Sequence, residues 1–356
     1  MRESDVKKHR ILIVGCGAVA RHGHAPALSR NPGVEIVGLC DPSAEARALI
    51  ADRHHLNAPT FASLEEGLTA VRPDSVDICT PGPTHDALVR QAILAGANVL
   101  VEKPPASSVV VARELAALAD AHGVKLGTVL NYRYRDVLMR LRAAVDSGRL
   151  GQIKKVHIVH HGCLVYSDAP WLWNEAESKY LFREFGIHYL DTLVDLCGPH
   201  QRILWVHPVR QDSINVTTDV EVGIEFGEGA IGLLDMVADS TRGSSYFTHI
   251  HVYGTAADAF VRFFPPCIRF AAGLHNPIDI LASEVKSFAR LAALLVTRKY
   301  KAYRNLPHKR TLDMFCDWVV AGTPYPFELK LVIPTLDLLE AVEARIPAYC
   351  REPVMV

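Results

Sequence analysis

R-I-L-I-V-G-C-G-A-V-A, residues Arg10 to Ala20, carries a strand signal and a turn signal back to back. Ile11 to Val14 is a short run of branched apolar residues, which suits a strand buried on both faces. Gly15, Gly17 and Ala20 follow at the spacing G-x-G-x-x-A, with Ala18 and Val19 between them. The chain then reads as a helix from Val19 to Ser29, closed by Asn31-Pro32-Gly33. Gly15 permits a tight strand-to-helix turn. Gly17, with no Cβ, lets a pyrophosphate approach the backbone, and Ala20 lets the helix lie close on the strand. The N–H groups at the start of the helix favour phosphate oxygens. Val34 to Cys40 reads as a second buried strand, and Asp41 stands 21 residues after Ala20. A carboxylate there accepts hydrogen bonds from a ribose 2′-OH and repels a 2′-phosphate, which favours NAD over NADP. The competing reading is an ordinary turn with chance glycines. The strand-turn-helix-acid context argues against it.

Composition narrows the class. The chain has 356 residues, 49% hydrophobic and 22% charged, enough for two domains each with its own core. A net charge of -1 gives no general reason to expect nucleic acid. Met1 to His9 is polar and lacks the apolar centre of a signal peptide. The most tempting apolar piece, Leu291 to Val296, is far too short to span a membrane. The eight cysteines form no C-x-x-C pair, and Cys16, Cys40 and Cys79 fall in or beside expected strands, where cysteine behaves as a small hydrophobe. A reduced, cytoplasmic protein is the expectation.

The first third alternates strand and helix signals. Helices are expected over Pro42–His54, Leu64–Val71, Pro83–Leu94 and Ser107–His122, and strands over Ser75–Cys79, Asn98–Val101 and Lys125–Leu130. This alternation implies a parallel sheet covered by helices, with ligands beyond the carboxyl ends of the strands. Those ends carry Gly15, Asp41, Thr80-Pro81-Gly82, Glu102-Lys103-Pro104 and Asn131-Tyr132-Arg133, so these loops are expected to converge. The boundary is placed at 131/132, with a dinucleotide-binding domain over 1–131 and a substrate and oligomerisation domain over 132–356.

After a connecting helix, Tyr134 to Ser147, the pattern changes to long strand-like runs: Ile153–Val165, Ile203–Gln211, Thr217–Phe226, Ala230–Ala238 and Tyr246–Tyr253. Gly227-Glu228-Gly229 reads as a hairpin turn. A helix is expected over Phe185–Leu196, closed by Gly198-Pro199, and another over Leu331–Arg345. The fold class is therefore α/β, with a mostly antiparallel open sheet in the second domain. A sheet face of this size is often covered by a partner subunit, so a homodimer or homotetramer is expected. Lys286 to Arg310 holds eight Lys/Arg and no Asp or Glu. It reads first as a solvated basic helix beside the core, and second as an anion site for a phosphate-bearing substrate or a membrane-surface contact.

Two constellations carry chemistry. Lys103 stands at the end of a buried strand, where it can donate to a substrate hydroxyl. Glu184, His188 and Asp191 are spaced by four and three, which puts them on one face of a helix. A histidine beside carboxylates suits the base that removes a hydroxyl proton as hydride leaves for nicotinamide. His22/His24, His160/His161 and His249/His251 show no carboxylate or cysteine partner at metal spacing, so no metal is expected.

G-C-G-A-V-A, then C-D-P, T-P-G-P-T-H (Thr80 to His85), E-K-P and G-I-H-Y-L-D resemble the glucose-fructose oxidoreductase / inositol dehydrogenase (Gfo/Idh/MocA) family, from Ile11 to about Ile346. The resemblance implies a Rossmann domain followed by an α/β domain with a large open sheet. It also implies NAD or NADP and hydride transfer at a ring hydroxyl of a sugar, cyclitol or nucleotide sugar. It makes Lys103 the catalytic lysine, His188 the acid/base and Asp191 a nearby polar group. It adds Thr80, Pro81, His85 and Glu102 to the cofactor side and a cis Lys103-Pro104 bond. Members usually show D-x-G-x-H, whereas this chain has Glu184 at that aspartate. The extra methylene moves the carboxylate by more than about 1 Å, roughly the scale that affects catalysis. Ser178 to Arg183 replaces the family's glycine-rich turn, implying a differently shaped substrate mouth. Arg133, Tyr132, Trp173 and Lys179 are candidate substrate contacts, with Trp171 beside them. The family also contains cofactor-sensing proteins without turnover and NAD-dependent glycosidases, which stand as the alternatives.

Overall fold

The computed structural model describes residues 8–162, 180–211, 216–237, 247–272 and 276–346. Trp171, Trp173 and Lys179 lie outside them.

The chain begins with β1 (His9–Val14), a π-helical turn (Ala20–His24) and a single α-helical turn, α1 (Ala25–Leu28). β2 (Val34–Cys40), α2 (Ala44–His54), β3 (Thr60–Phe61), α3 (Leu64–Val71) and β4 (Ser75–Ile78) follow. Next come α4 (His85–Leu94), β5 (Asn98–Val101), α5 (Val109–His122) and β6 (Leu126–Thr128). The sheet is parallel throughout, in the order β3-β2-β1-β4-β5-β6. This is the doubly wound dinucleotide-binding order, whose crevice lies where the winding reverses, beside β1 and β4. β1, β4 and β5 are almost wholly buried, as their unbroken apolar character requires. Ser43, Ser63 and Ser108 start α2, α3 and α5 by accepting from the backbone N–H three residues on.

The regular helix expected over Val19–Ser29 is instead a π turn followed by one α turn. Pro26 has no N–H to give to the His22 carbonyl. That carbonyl accepts from the Asn305 amide instead, at 2.7 Å.

The second half contains α6 (Asp136–Asp146), β7 (Ile153–His161), α7 (Tyr180–Cys197), β8 (His200–Gln211), β9 (Val216–Phe226) and β10 (Ile231–Val237). It continues with β11 (Phe247–Gly254), β12 (Asp258–Arg262), β13 (Cys267–Ala271), α8 (Pro277–Val296), α9 (Tyr300–Ala321) and α10 (Leu329–Glu343). The seven-stranded sheet runs β13-β12-β11-β7-β10-β9-β8, antiparallel except for β7 beside β10. Gly227–Gly229 turns β9 into β10, as the hairpin reading expects. β7, β10 and β11 alternate buried with half-buried residues, so one sheet face is core and the other open. β12 and β13 lie outside the strand-like runs expected from the sequence.

The chain divides into two compact units, Met1–Tyr134 with Lys301–Ile333, and Arg135–Tyr300 with Pro334–Val356. The single boundary at 131/132 misses the return of Lys301–Ile333 to the first unit. That return has a packing cause. Phe315, Trp318, Tyr325 and Phe327 form an aromatic cluster with ring centroids 5.4–6.1 Å apart. Tyr325 Oη donates to the Thr128 carbonyl at 2.8 Å, and Thr128 N–H donates to the Phe327 carbonyl at 2.9 Å, which covers the β6 edge. No helix among the described residues is long and apolar enough to cross a membrane.

Candidate active site

In the first unit the strand-end loops meet as expected. Gly15 has φ +88°, and a Cβ there would come within 2.8 Å of the Cys79 carbonyl carbon, so glycine is required twice over. Gly17 differs: nothing lies within 4 Å of where its Cβ would be, and Gly17 and Ala18 are exposed. The turn thus presents bare backbone to an open approach, which fits the pyrophosphate of a dinucleotide. Val19 is half-buried and Ala20 fully buried, as close helix packing needs. Asp41 ends β2 against this turn. Its Oδ2 accepts from Cys16 N–H and its Oδ1 from Ser43 N–H, both at 2.8 Å, so two amides hold the carboxylate still.

His85 fastens two other loops. Its ring is fully buried, with Nε2 2.8 Å from the Thr80 carbonyl oxygen and Nδ1 2.7 Å from the Pro104 carbonyl oxygen. Both nitrogens are engaged with backbone, so His85 holds the Thr80-Pro81 and Lys103-Pro104 loops together. The Lys103-Pro104 peptide is cis, as the resemblance implies.

Beneath these loops lies a group that sequence reasoning missed. His24 is fully buried; its Nδ1 sits 2.9 Å from Asp77 Oδ2 and its Nε2 2.9 Å from Glu102 Oε1. Glu102 Oε2 in turn accepts from the Lys103 N–H at 3.0 Å. Burial works against charge on His24, but the Asp77 carboxylate overcomes it and holds the imidazole well above its ordinary range. Burial likewise opposes ionisation of Glu102, yet the hydrogen bond and charge of His24 bring it down to about 2. Burial and then Asp77 push the neighbouring Cys79 thiol up to about 12. His308 of α9 joins at the side, with its ring centroid 5.9 Å from that of His24 and its Nε2 2.7 Å from the Asn131 amide.

The reading that His24 lacks carboxylate partners is therefore corrected. Asp77 and Glu102 lie 53 and 78 residues away, beyond any local spacing rule. His24 with Glu102 and His308, and His24 with Asp77 and Cys79, are groupings whose donor atoms lie within 4.8 Å and could surround a cation. Here both His24 nitrogens are committed to carboxylates.

Tyr132 and Arg133 occupy a 3-10 turn, Asn131–Tyr134, and are half-buried. The Arg133 guanidinium lies over the Phe327 ring, 5.3 Å from its centroid.

In the second unit α7 brings Glu184, His188 and Asp191 to one buried face, all at most 7% exposed. The four-and-three spacing is the reason. α10 holds this helix: the Thr335 hydroxyl donates to Asp191 Oδ1 at 3.0 Å, and Arg183 pairs with Glu343 at 2.6 Å. The Thr192 hydroxyl donates to the His188 carbonyl at 2.9 Å. Asp191 is thus tied into the core of its unit.

Comparison with known proteins agrees with this architecture. Residues 9–129 match the family model for the Gfo/Idh/MocA oxidoreductase family, NAD-binding Rossmann fold, and residues 138–259 match the Gfo/Idh/MocA C-terminal domain. The inositol 2-dehydrogenase of Rhizobium meliloti (strain 1021) is 27% identical over 313 residues, 83% of this chain and 86% of that protein. The D-glucoside 3-dehydrogenase of Escherichia coli (strain K12) is 28% identical over 244 residues, 67% of this chain and 66% of that protein. Among solved structures, the WlbA dehydrogenase from Bordetella pertussis in complex with NADH and UDP-GlcNAcA superposes with a TM-score of 0.78. It is 21% identical and covers 95% of each chain, a likeness of fold. With both of its parts matched in order, and the glycine turn built as dinucleotide binding requires, the chain belongs to the Gfo/Idh/MocA family of NAD-binding oxidoreductases.

Proposed function

We propose that this protein is an NAD-dependent dehydrogenase that interconverts a secondary alcohol and a ketone on a sugar, cyclitol or nucleotide sugar. The observation that carries the reading is the fixed Glu102-Lys103-Pro104 loop, braced by His24 from below and His85 from the side. Such bracing suits a lysine whose ammonium must meet one oxygen repeatedly in one geometry. Gly15 to Ala20 would hold the pyrophosphate, Asp41 the adenosine ribose hydroxyls, and Thr80-Pro81 would line the same crevice. When bound, the nicotinamide supplies the acceptor or donor of hydride.

The remaining work falls to the protein. Lys103 donates a hydrogen bond to the substrate oxygen and stabilises the negative charge that develops there. His188 takes the hydroxyl proton as the C–H bond breaks, and returns it in the reverse direction. Glu184, one turn before His188 on α7, orients the imidazole. Arg133 and Tyr132 are proposed substrate contacts. The amide-bound carboxylate of Asp41 supports NAD over NADP, because a 2′-phosphate would meet a held negative charge. The open, half-buried face of the seven-stranded sheet supports assembly of copies of this chain.

The test is absorbance of reduced cofactor with NAD or NADP and a panel of inositols, free sugars and nucleotide sugars. Turnover with one substrate class is expected. Lys103→Met should lower kcat by about a hundredfold or more while cofactor affinity changes little. Tight cofactor binding without reduction by any substrate class would overturn the dehydrogenase reading and favour a sensing role.

A further inference from the structure

α8 turns most of its apolar side chains outward. Its inner face mixes Ser283, Glu284 and Ser287 with the half-buried Leu291 and Leu294. Glu284 accepts from Arg262 at 2.6 Å and lies 3.9 Å from Arg269, and the buried Ser287 hydroxyl donates to the Pro266 carbonyl at 3.0 Å. The outer face carries Ile278, Leu281, Val285, Phe288, Leu295 and Val296, each between 56% and 83% exposed. The positions between them on that arc are alanines. At about 100° per residue, this face spans roughly 160° without a polar side chain. A contiguous exposed apolar surface of this kind marks an interaction site.

Charge identifies what would cover it. From Lys286 to Lys299 there are four Lys/Arg and no acidic residue, and of the four Arg290 is paired with Asp136. Lys286 flanks the stripe, and Arg298 and Lys299 follow directly at the end of the helix, all exposed. The acids on α8 are Asp279 in its first turn and the arginine-paired Glu284. A second copy would answer the apolar face, but each copy would bring the exposed cations Lys286, Arg298 and Lys299 against one exposed acid of α8, Asp279. A lipid surface with anionic headgroups answers both features. No described helix is suited to crossing a membrane, so α8 would lie along the surface.

We propose that α8 docks the protein on an anionic lipid surface, with its apolar face at the headgroup–acyl boundary and Lys286, Arg298 and Lys299 among the lipid phosphates.

Co-sedimentation of the purified full chain with vesicles tests this, using phosphatidylcholine containing roughly one-third phosphatidylglycerol against phosphatidylcholine alone. Binding to the anionic vesicles is expected, weakened by salt and on the zwitterionic vesicles. The outward-facing variant L281E/F288E and the charge variant R298E/K299E should each bind at least about tenfold more weakly, with unchanged melting temperature and NAD affinity. No binding to either vesicle, or equal binding by wild type and L281E/F288E, would overturn the proposal. So would a stripe variant that lowers the oligomer mass while the wild type ignores lipid, since the occupant would then be a second copy.

Discussion

His24 and His160 are both buried, yet their surroundings push them in opposite directions. In the first unit His24 lies between Asp77 and Glu102 and is held charged. In the second, His160 of β7 stacks on Tyr189 at 4.8 Å between centroids, with its Nδ1 3.0 Å from the Thr248 hydroxyl. Burial, reinforced by His161, lowers its pKa to about 4, so it is neutral at physiological pH. Burial alone neutralises an imidazole, and two carboxylates in contact reverse that result. The contrast follows the proposed roles. The charged group braces the lysine loop, whereas the neutral one is part of a sheet core.

The largest test of this contrast is His24→Leu. It leaves two buried carboxylates without their shared cation and should cost about 3–5 kcal/mol at neutral pH, read by denaturant unfolding. A loss below about 1 kcal/mol would mean that the network is not charged in the native state.

A second test uses pH. The native pKa of His160, about 4, lies below its ordinary 6.5. The unfolded chain therefore binds the proton first, and stability should fall as pH drops from 6.5 to 4, by on the order of 3 kcal/mol. His24 behaves oppositely. Its raised native pKa gives stability that is complete below its unfolded value and lost only as pH rises through the native one. Glu102, at about 2, gives stability that is present above 4.5 and lost as pH falls toward 2. Melting curves of the wild type and His160→Phe across this range separate the terms. Only the 6.5-to-4 decline should flatten in the variant, and an unchanged slope would assign it elsewhere. The smallest effect is that of His160→Phe at neutral pH. The ring keeps its stack on Tyr189 and loses its hydrogen bonds to the Thr248 hydroxyl and the Phe247 backbone, so about 2 kcal/mol is expected.

Much of the candidate site can be read locally. The Arg10–Ala20 turn, Asp41 and the Lys103 loop stand at strand ends, and a buried parallel strand announces itself by composition. Glu184, His188 and Asp191 share a face because helical periodicity puts them there. α8 shows the limit of this kind of reading. Lys286 to Arg310 reads as a solvated basic helix, whereas the outer face of α8 is apolar and its Glu284 and Ser287 are turned inward to Arg262 and Pro266. Periodicity reveals a stripe but not the direction in which it points.

Short-range chemistry in the chain therefore suffices for the parallel Rossmann sheet, the glycine turn, the acid at Asp41 and the histidine face of α7. Each depends on residues a few positions apart and on the steric rules of one element. The His24–Asp77–Glu102 brace, the return of Lys301–Ile333 to the first unit and the outward apolar face of α8 come from folding alone. Their partners are separated by tens to hundreds of residues, and only the packed chain sets which buried groups share a low-dielectric neighbourhood.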